Sequence, residues 1–186
     1  TASNNTSVGY NSLAANTAAE NTAIGSQALA ANNTGTGNVA LGFEALKAST
    51  NRSGLTAIGY KALAANAGSS SSTMGLYNTA TGFEALTTNT TGYYNTANGY
   101  RSLAGNTTGF GNAAFGYLSA NSLTTGDDNV AFGKSAMYSN VSSDRNCMIG
   151  SEAGYSVTGA YNTALGYKAL YFITGGTYNT AIGYNA

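Results

Sequence analysis

The segment NTAIGSQAL that begins at Asn21 returns as NVALGFEAL at Asn38, LTAIGYKAL at Leu55, NTATGFEAL at Asn78, NTANGYRSL at Asn95 and NTALGYKAL at Asn162. Weaker copies start at Asn5, Asn112, Asn129 and Asn146, and a shorter one, NTAIGYNA, starts at Asn179. The glycine of each copy falls at 9, 25, 42, 59, 82, 99, 116, 133, 150, 166 and 183, which gives spacings of 16, 17, 17, 23, 17, 17, 17, 17, 16 and 17. A period held over eleven copies means that each unit repeats its neighbour's conformation and buries its apolar groups against it. The one long step contains Ser69, Ser70, Ser71 and Ser72 and reads as a loop insertion of six residues, within 64–77, on a regular stack.

The columns follow from that alignment. Four residues before the glycine, ten of eleven copies have Asn, the exception being Leu55; two before it, nine have Ala. One before it, nine are apolar, with Thr81 and Asn98 the exceptions, and directly after it eight are Tyr or Phe. Four after it, seven are Leu. A unit of 17 residues that must also hold its turns leaves no stretch of helical length with a 3.6-residue period. Thr-Ala-Ile-Gly-Tyr alternates instead, with Thr22, Ile24 and the aromatic position on one face and Asn, Ala and Gly on the other. Gln27 to Ala30 is compatible with either a short turn or a second strand. The pattern predicts an all-β chain: a parallel β-solenoid or β-roll of about eleven 17-residue repeats, stacked at about 4.8 Å per coil into a rod roughly 50 Å long.

In such a stack each column becomes a ladder. The Asn ladder (Asn21, Asn38, Asn78, Asn95, Asn112, Asn129, Asn146, Asn162 and Asn179) is expected to align side-chain amides, each donating to the carbonyl of the next. A second, partial Asn column lies seven after the glycine, at Asn16, Asn32, Asn66, Asn89, Asn106 and Asn140. Asn also tolerates the left-handed backbone of tight corners. The glycines (Gly25, Gly42, Gly59, Gly82, Gly99, Gly116, Gly133, Gly150, Gly166 and Gly183) supply a corner or a close backbone approach. Two or three sizeable apolar groups per coil make a thin core, while the Ala/Gly face leaves room for another backbone. Burial of both faces then requires identical rolls to pack around a common axis, and a homotrimer is the expected assembly; a monomer with a continuous dry core is the alternative. No charged segment caps either end, so the expectation is a section of a longer fibre or end-to-end polymerisation.

Composition bears on chemistry. The 186 residues contain 7 Lys plus Arg, 7 Asp plus Glu, a single Cys, and no His, Pro or Trp. Without His the commonest general acid/base and transition-metal ligand is missing. Zero net charge with scattered cations gives no electrostatic grip on nucleic acid or anionic lipid. No apolar run reaches 18 residues, and no basic segment followed by an apolar stretch opens the chain, so neither membrane insertion nor a signal peptide is expected. Asp127, Asp128 and Asp144 near Asn129 read either as acidic turn residues or as oxygens gathered for Ca²⁺. Glu44 and Glu84 share a column; Glu20 and Glu152 are read as lying elsewhere, and no paired carboxylates face a cleft. Cys147 takes a Thr/Val position as a small buried residue. Sequons at Asn4, Asn5, Asn32, Asn51, Asn89, Asn106 and Asn140 fall in expected loops or near the N-terminus, where glycans have room. Tyr77, Tyr93, Tyr94, Tyr161 and Tyr178 read as loop aromatics that either line an interface between chains or offer a sugar- or protein-binding stripe. No catalytic residue, metal or cofactor is assigned.

The NTALGYKAL-type copies, linked by pieces such as TTNTTGYY (87–94) and AGNTTGFG (104–111), resemble the repeat regions of bacterial and phage tail-fibre-domain proteins. They resemble less closely the head repeats of trimeric autotransporter adhesins, whose period is shorter and whose repeats lack the aromatic after the glycine. The resemblance spans 5–186 and implies an extracellular, cell-surface or virion location, trimerisation and attachment to a cell-surface glycan or protein. The expected function is a non-enzymatic structural and attachment fibre. The alternatives are an ice-binding solenoid, given Thr three before the glycine in seven copies, and a purely structural extracellular filament.

Overall fold

Three-residue strands recur once per repeat because Thr-Ala-Ile-type triplets favour the extended backbone and the glycine that follows ends them. A computed structural model describes residues 2–67 and 73–186; the serine run of the expected insertion, Ser69–Ser72, lies outside the described residues. The strands are β1 (Thr6–Val8), β2 (Thr22–Ile24), β3 (Val39–Leu41), β4 (Thr56–Ile58), β5 (Thr79–Thr81), β6 (Thr96–Asn98), β7 (Ala113–Phe115), β8 (Val130–Phe132), β9 (Cys147–Ile149), β10 (Ser156–Val157), β11 (Thr163–Leu165), β12 (Phe172–Ile173) and β13 (Thr180–Ile182). All but β10 and β12 form one parallel sheet of 11 strands in the order β1-β2-β3-β4-β5-β6-β7-β8-β9-β11-β13. Its register matches the repeat column for column: Ala23 faces Ala40, Ala40 faces Ala57, and Ala57 faces Ala80 across the 23-residue step. The chain is a parallel β-solenoid.

The other wall of each coil is turn rather than strand. Ala28 N–H donates to Gly25 O at 3.3 Å and Asn32 N–H to Leu29 O at 3.1 Å, closing two successive turns, while Leu29 N–H reaches Ala45 O of the next coil at 3.0 Å. Two columns of this wall, two and four after the glycine, are left-handed throughout. The Leu members of the second column, from Leu13 to Leu170, have φ between 48° and 53°, a conformation that crowds the Cβ against the backbone carbonyl and costs a non-glycine residue about 1–2 kcal/mol. The seat is offset by burial: Leu29, Leu46, Leu63, Leu86 and Leu103 are fully buried. A third left-handed column precedes the ladder Asn and holds Gly37, Gly54 and Gly111, but also Tyr77, Tyr94, Tyr161 and Tyr178. The corners thus fall beside the ladder Asn residues, not on them, contrary to the expectation that Asn would supply the left-handed corner.

The interior is narrow. Ala23, Ala40, Ala57, Ala80, Ala97, Ala114 and Ala131 project inward from the sheet against a second Ala column (Ala28, Ala45, Ala62, Ala85) and the Leu column. The Ala/Gly face therefore meets the opposite wall of its own coil. At the repeat glycines φ is 130–138°, and from Gly9 to Gly166 a Cβ would run into the carbonyl of the next repeat glycine. Both readings of these glycines, corner and close approach, hold together. Near the C-terminal end, where Val157 and Ile173 replace Asn seven after the glycine, the turn wall straightens into the parallel pair β10 and β12.

Candidate functional surface: side-chain ladders

The ladder Asn residues are buried and bond to backbone more than to one another. Asn38 Oδ1 accepts Leu55 N–H at 3.0 Å, and Asn38 Nδ2 donates to Arg52 O, 14 residues on in its own coil, at 2.7 Å. Asn95 repeats the arrangement, accepting Asn112 N–H at 2.9 Å and donating to Gly109 O at 2.8 Å. Each amide therefore ties one rung to the next and joins the start of its coil to the segment that closes it. Amide-to-amide donation, the expectation for this column, joins only its later members, such as Asn179 Nδ2 to Asn162 Oδ1 at 2.8 Å. The second Asn column does form the stacked-amide ladder: Asn106 donates to Asn89 and Asn89 to Asn66, each at 2.8 Å. It breaks where Leu123 occupies the next rung, leaving Asn106 Oδ1 and, one rung beyond, Asn140 Nδ2 buried without partners.

A charged column escaped the sequence reading. Two residues after the glycine stand Glu44, Lys61, Glu84, Arg101, Glu152 and Lys168, so Glu152 belongs with Glu44 and Glu84 rather than to an unlike column. Signs alternate, and the pairs Lys61–Glu44, Arg101–Glu84 and Lys168–Glu152 lie 3.7, 3.5 and 3.5 Å apart. Lys47, 2.7 Å away, lowers the carboxyl pKa of Glu44 below the usual range. The period-17 alignment contained this signal, which appears only when the column is read for charge rather than for identity. Arg52 is a second omission: it stands buried at the column of Gly35 and Gly92, and desolvation pushes its guanidinium pKa down.

The aromatic residues form stacks along the axis. Phe43, Tyr60, Phe83, Tyr100 and Tyr117 run as one column with centroids 4.8–5.4 Å apart. Of the loop tyrosines, Tyr77 stacks on Tyr94 at 5.5 Å, Tyr161 on Tyr178 at 4.9 Å and Tyr93 on Phe110 at 4.8 Å. A further column holds Tyr138, Tyr155 and Tyr171 at 5.1 Å spacing, and Tyr167 stacks on Tyr184 at 5.2 Å. Each of the five loop tyrosines, Tyr77, Tyr93, Tyr94, Tyr161 and Tyr178, thus has one ring face stacked on a single aromatic neighbour.

The outward face of the sheet carries the Thr, Ile and aromatic columns, as the alternation requires. Ile24, Leu41, Ile58, Phe132, Ile149 and Leu165 are between 36% and 55% exposed, so the largest aliphatic groups of the strands lie outside the core. The acidic triplet resolves into rung links: Asp127 accepts Phe110 N–H and Asp144 accepts Asp127 N–H, both at 2.9 Å. Desolvation, the largest influence on Asp127, raises its carboxyl pKa. Among the described residues no group of three or more His, Cys, Asp or Glu is placed to hold a metal, no cavity opens, and no helix is long and apolar enough to cross a membrane. Cys147 is half-buried in β9, with its backbone paired in the sheet. The sequons split: Asn32, Asn89, Asn106 and Asn140 are fully buried with no room for a glycan, whereas Asn4 is exposed and Asn5 and Asn51 are half-buried.

Searches of family models, curated proteins and solved structures find no match to this chain.

Proposed function

We propose that the chain is a section of a non-enzymatic structural and attachment fibre, extracellular on a cell or virion surface, in which three copies pack side by side about a common axis. The observation that carries this reading is the outward strip of Ile, Leu, Thr and aromatic columns on the 11-stranded sheet. At about 4.8 Å per strand and about 3.4 Å per residue, a strip five residues wide covers roughly 700–900 Å². In a threefold ring each strip is shared between two neighbours, at about 350–450 Å² each, so each copy buries in total about the 800 Å² per partner of a stable protein interface. Copies of the strip have the same period, so every rung meets its equivalents. In this arrangement the Asn clamps hold each coil rigid, the strips hold the copies together, and the outer ring edges and loops meet a glycan or protein receptor. Negative-stain microscopy of the chain tests the shaft directly: straight rods about 50 Å long per copy and more than one solenoid thick are expected, and isolated thin single coils would oppose the reading.

A second reading is an ice-binding solenoid, favoured by the outward placement of Thr6, Thr22, Thr56, Thr79, Thr96, Thr163 and Thr180 on one parallel sheet. Val39, Ala113, Val130 and Cys147 interrupt that column, and the neighbouring column is aliphatic. Thermal hysteresis of the isolated chain discriminates: clear activity favours this reading over the fibre.

A further inference from the structure

The chain has 14 Tyr, and 12 of them lie against another Tyr in the stacks. We propose that these stacks are sites of oxidative modification, at which consecutive coils become joined by dityrosine bonds when the chain meets hydrogen peroxide and a one-electron phenol oxidant of the haem-peroxidase class. Each phenol gives up one electron and one proton to become a phenoxyl radical. Two neighbouring radicals form a single C–C bond between ring carbons ortho to their oxygens. The two hydrogens on those carbons then shift to the oxygens through solvent and restore both phenols. Overall, two tyrosines lose two electrons and two protons, and the peroxide takes up the same number to become two waters.

The geometry favours coupling within the chain. Tyr161 and Tyr178 are nearly parallel, with centroids 4.9 Å apart and planes 5° from one another. They are 41% and 76% exposed, so an oxidant reaches both. Arg145 Nη1 donates to Tyr161 Oη at 2.8 Å and holds that ring in place. Tyr167 and Tyr184, 5.2 Å apart, make a second open pair. Holding two reactants in contact replaces a bimolecular encounter by a local one, which raises the effective concentration of the partner radical far above that of any second chain. Two other groups compete for oxidant, Met74, which is 43% exposed, and the half-buried thiol of Cys147; the chain has no His or Trp, and Met137 and Met148 are fully buried.

Two tyrosines lack a phenol partner and serve as internal controls. Tyr10 is 72% exposed, but Ser26 occupies the next rung of its column. Tyr60 is stacked on both sides, but only by Phe43 and Phe83, at 5.4 and 4.8 Å. Exposure alone would make Tyr10 as reactive as Tyr184, and stacking alone would make Tyr60 as reactive as Tyr178. The proposal stands apart from the fibre reading, because each bond lies within one chain.

The test treats the whole chain, at high dilution, with peroxidase and hydrogen peroxide, then maps dityrosine by its fluorescence and by mass spectrometry of tryptic peptides. Lys168 lies between the members of both C-terminal pairs, so their links appear as joined peptides whose fragmentation distinguishes the pair. The expected result is intrachain links at Tyr161–Tyr178 and Tyr167–Tyr184 at least about tenfold more abundant than any through Tyr10 or Tyr60. Tyr178→Phe, which keeps the ring stack, removes the first link and leaves the second. No dityrosine, links distributed by exposure, or links that vanish on further dilution would overturn the proposal.

Discussion

A buried amide shows at the residue scale why Asn is so frequent here. Asn112 accepts Asn129 N–H at 2.9 Å and donates to Gly126 O at 2.8 Å, so Asn112→Ala orphans two backbone groups inside the coil. At about 1–3 kcal/mol per orphaned group, a loss of about 2–5 kcal/mol is expected in denaturant unfolding. Leu123→Asn should behave in the opposite sense to most buried Leu substitutions. It places an amide between Asn106 Oδ1 and Asn140 Nδ2, both buried without partners. The recovered bonds, about 1–3 kcal/mol each, offset a lost Leu burial of about 1.5–3 kcal/mol, and near-neutral stability is predicted where Leu123→Ala should cost about 2–5 kcal/mol. For Asp127 the carboxyl pKa is raised in the folded state by desolvation, so the folded chain binds more protons than the unfolded one just above the ordinary Asp range. Stability therefore falls as pH rises from the unfolded value of 3.8 through the raised folded value. Asp127→Asn, which still offers an oxygen to Phe110 N–H, should abolish that fall, as melting temperature against pH will show. Alignment alone made the Ala/Gly face and the close glycine contact legible. The left-handed columns were hidden because Leu, Glu and Lys, poor residues for positive φ, fill them; what decides their conformation is the path of the whole coil.

For the strands and turns, register is the property to explain. Three-residue strands carry little pairing energy each, yet the alternation Glu44, Lys61, Glu84, Arg101 penalises any slip by one rung, which would set like charges side by side. Glu84→Lys puts three cations on successive rungs. It should destabilise the chain by about 1 kcal/mol at low salt, less at high salt, as expected for exposed pairs. Exchanging both partners, Glu84→Lys with Arg101→Glu, restores an opposite-charge pair between positions 84 and 101 but leaves one like-charge contact, Lys61 beside the cation at position 84, so only part of the loss should return. Urea titrations at two ionic strengths separate these outcomes. Strand positions, period and parallel stacking were legible because identical residues repeat at a two-residue alternation. The turn wall was not, because Gln27-Ala28-Leu29-Ala30 suits several local structures, and the turn bonds from Ala28 N–H to Gly25 O and from Asn32 N–H to Leu29 O decide among them.

For the whole molecule, the sheet turns its small residues inward and its large aliphatic ones outward, so the solenoid is closed by Ala, Leu and Asn and leaves Ile24, Leu41 and Ile58 to solvent or to a partner. The alternation of Thr-Ala-Ile-Gly-Tyr shows these two sets on opposite faces, but which face is the core depends on the far wall of the coil, whose turn geometry brings Ala28 and Leu29 against Ala23. Triple substitution of Ile24, Leu41 and Ile58 by Ser leaves every interior ladder intact and should yield a folded monomer. Sedimentation equilibrium of the unmodified chain tests the central claim most directly. Side-by-side assembly through the outward strip predicts three times the chain mass of 18.7 kDa for the native sequence and 18.7 kDa for the triple variant with an unchanged circular dichroism spectrum. A native chain that sediments as a stable monomer at micromolar concentration would contradict it.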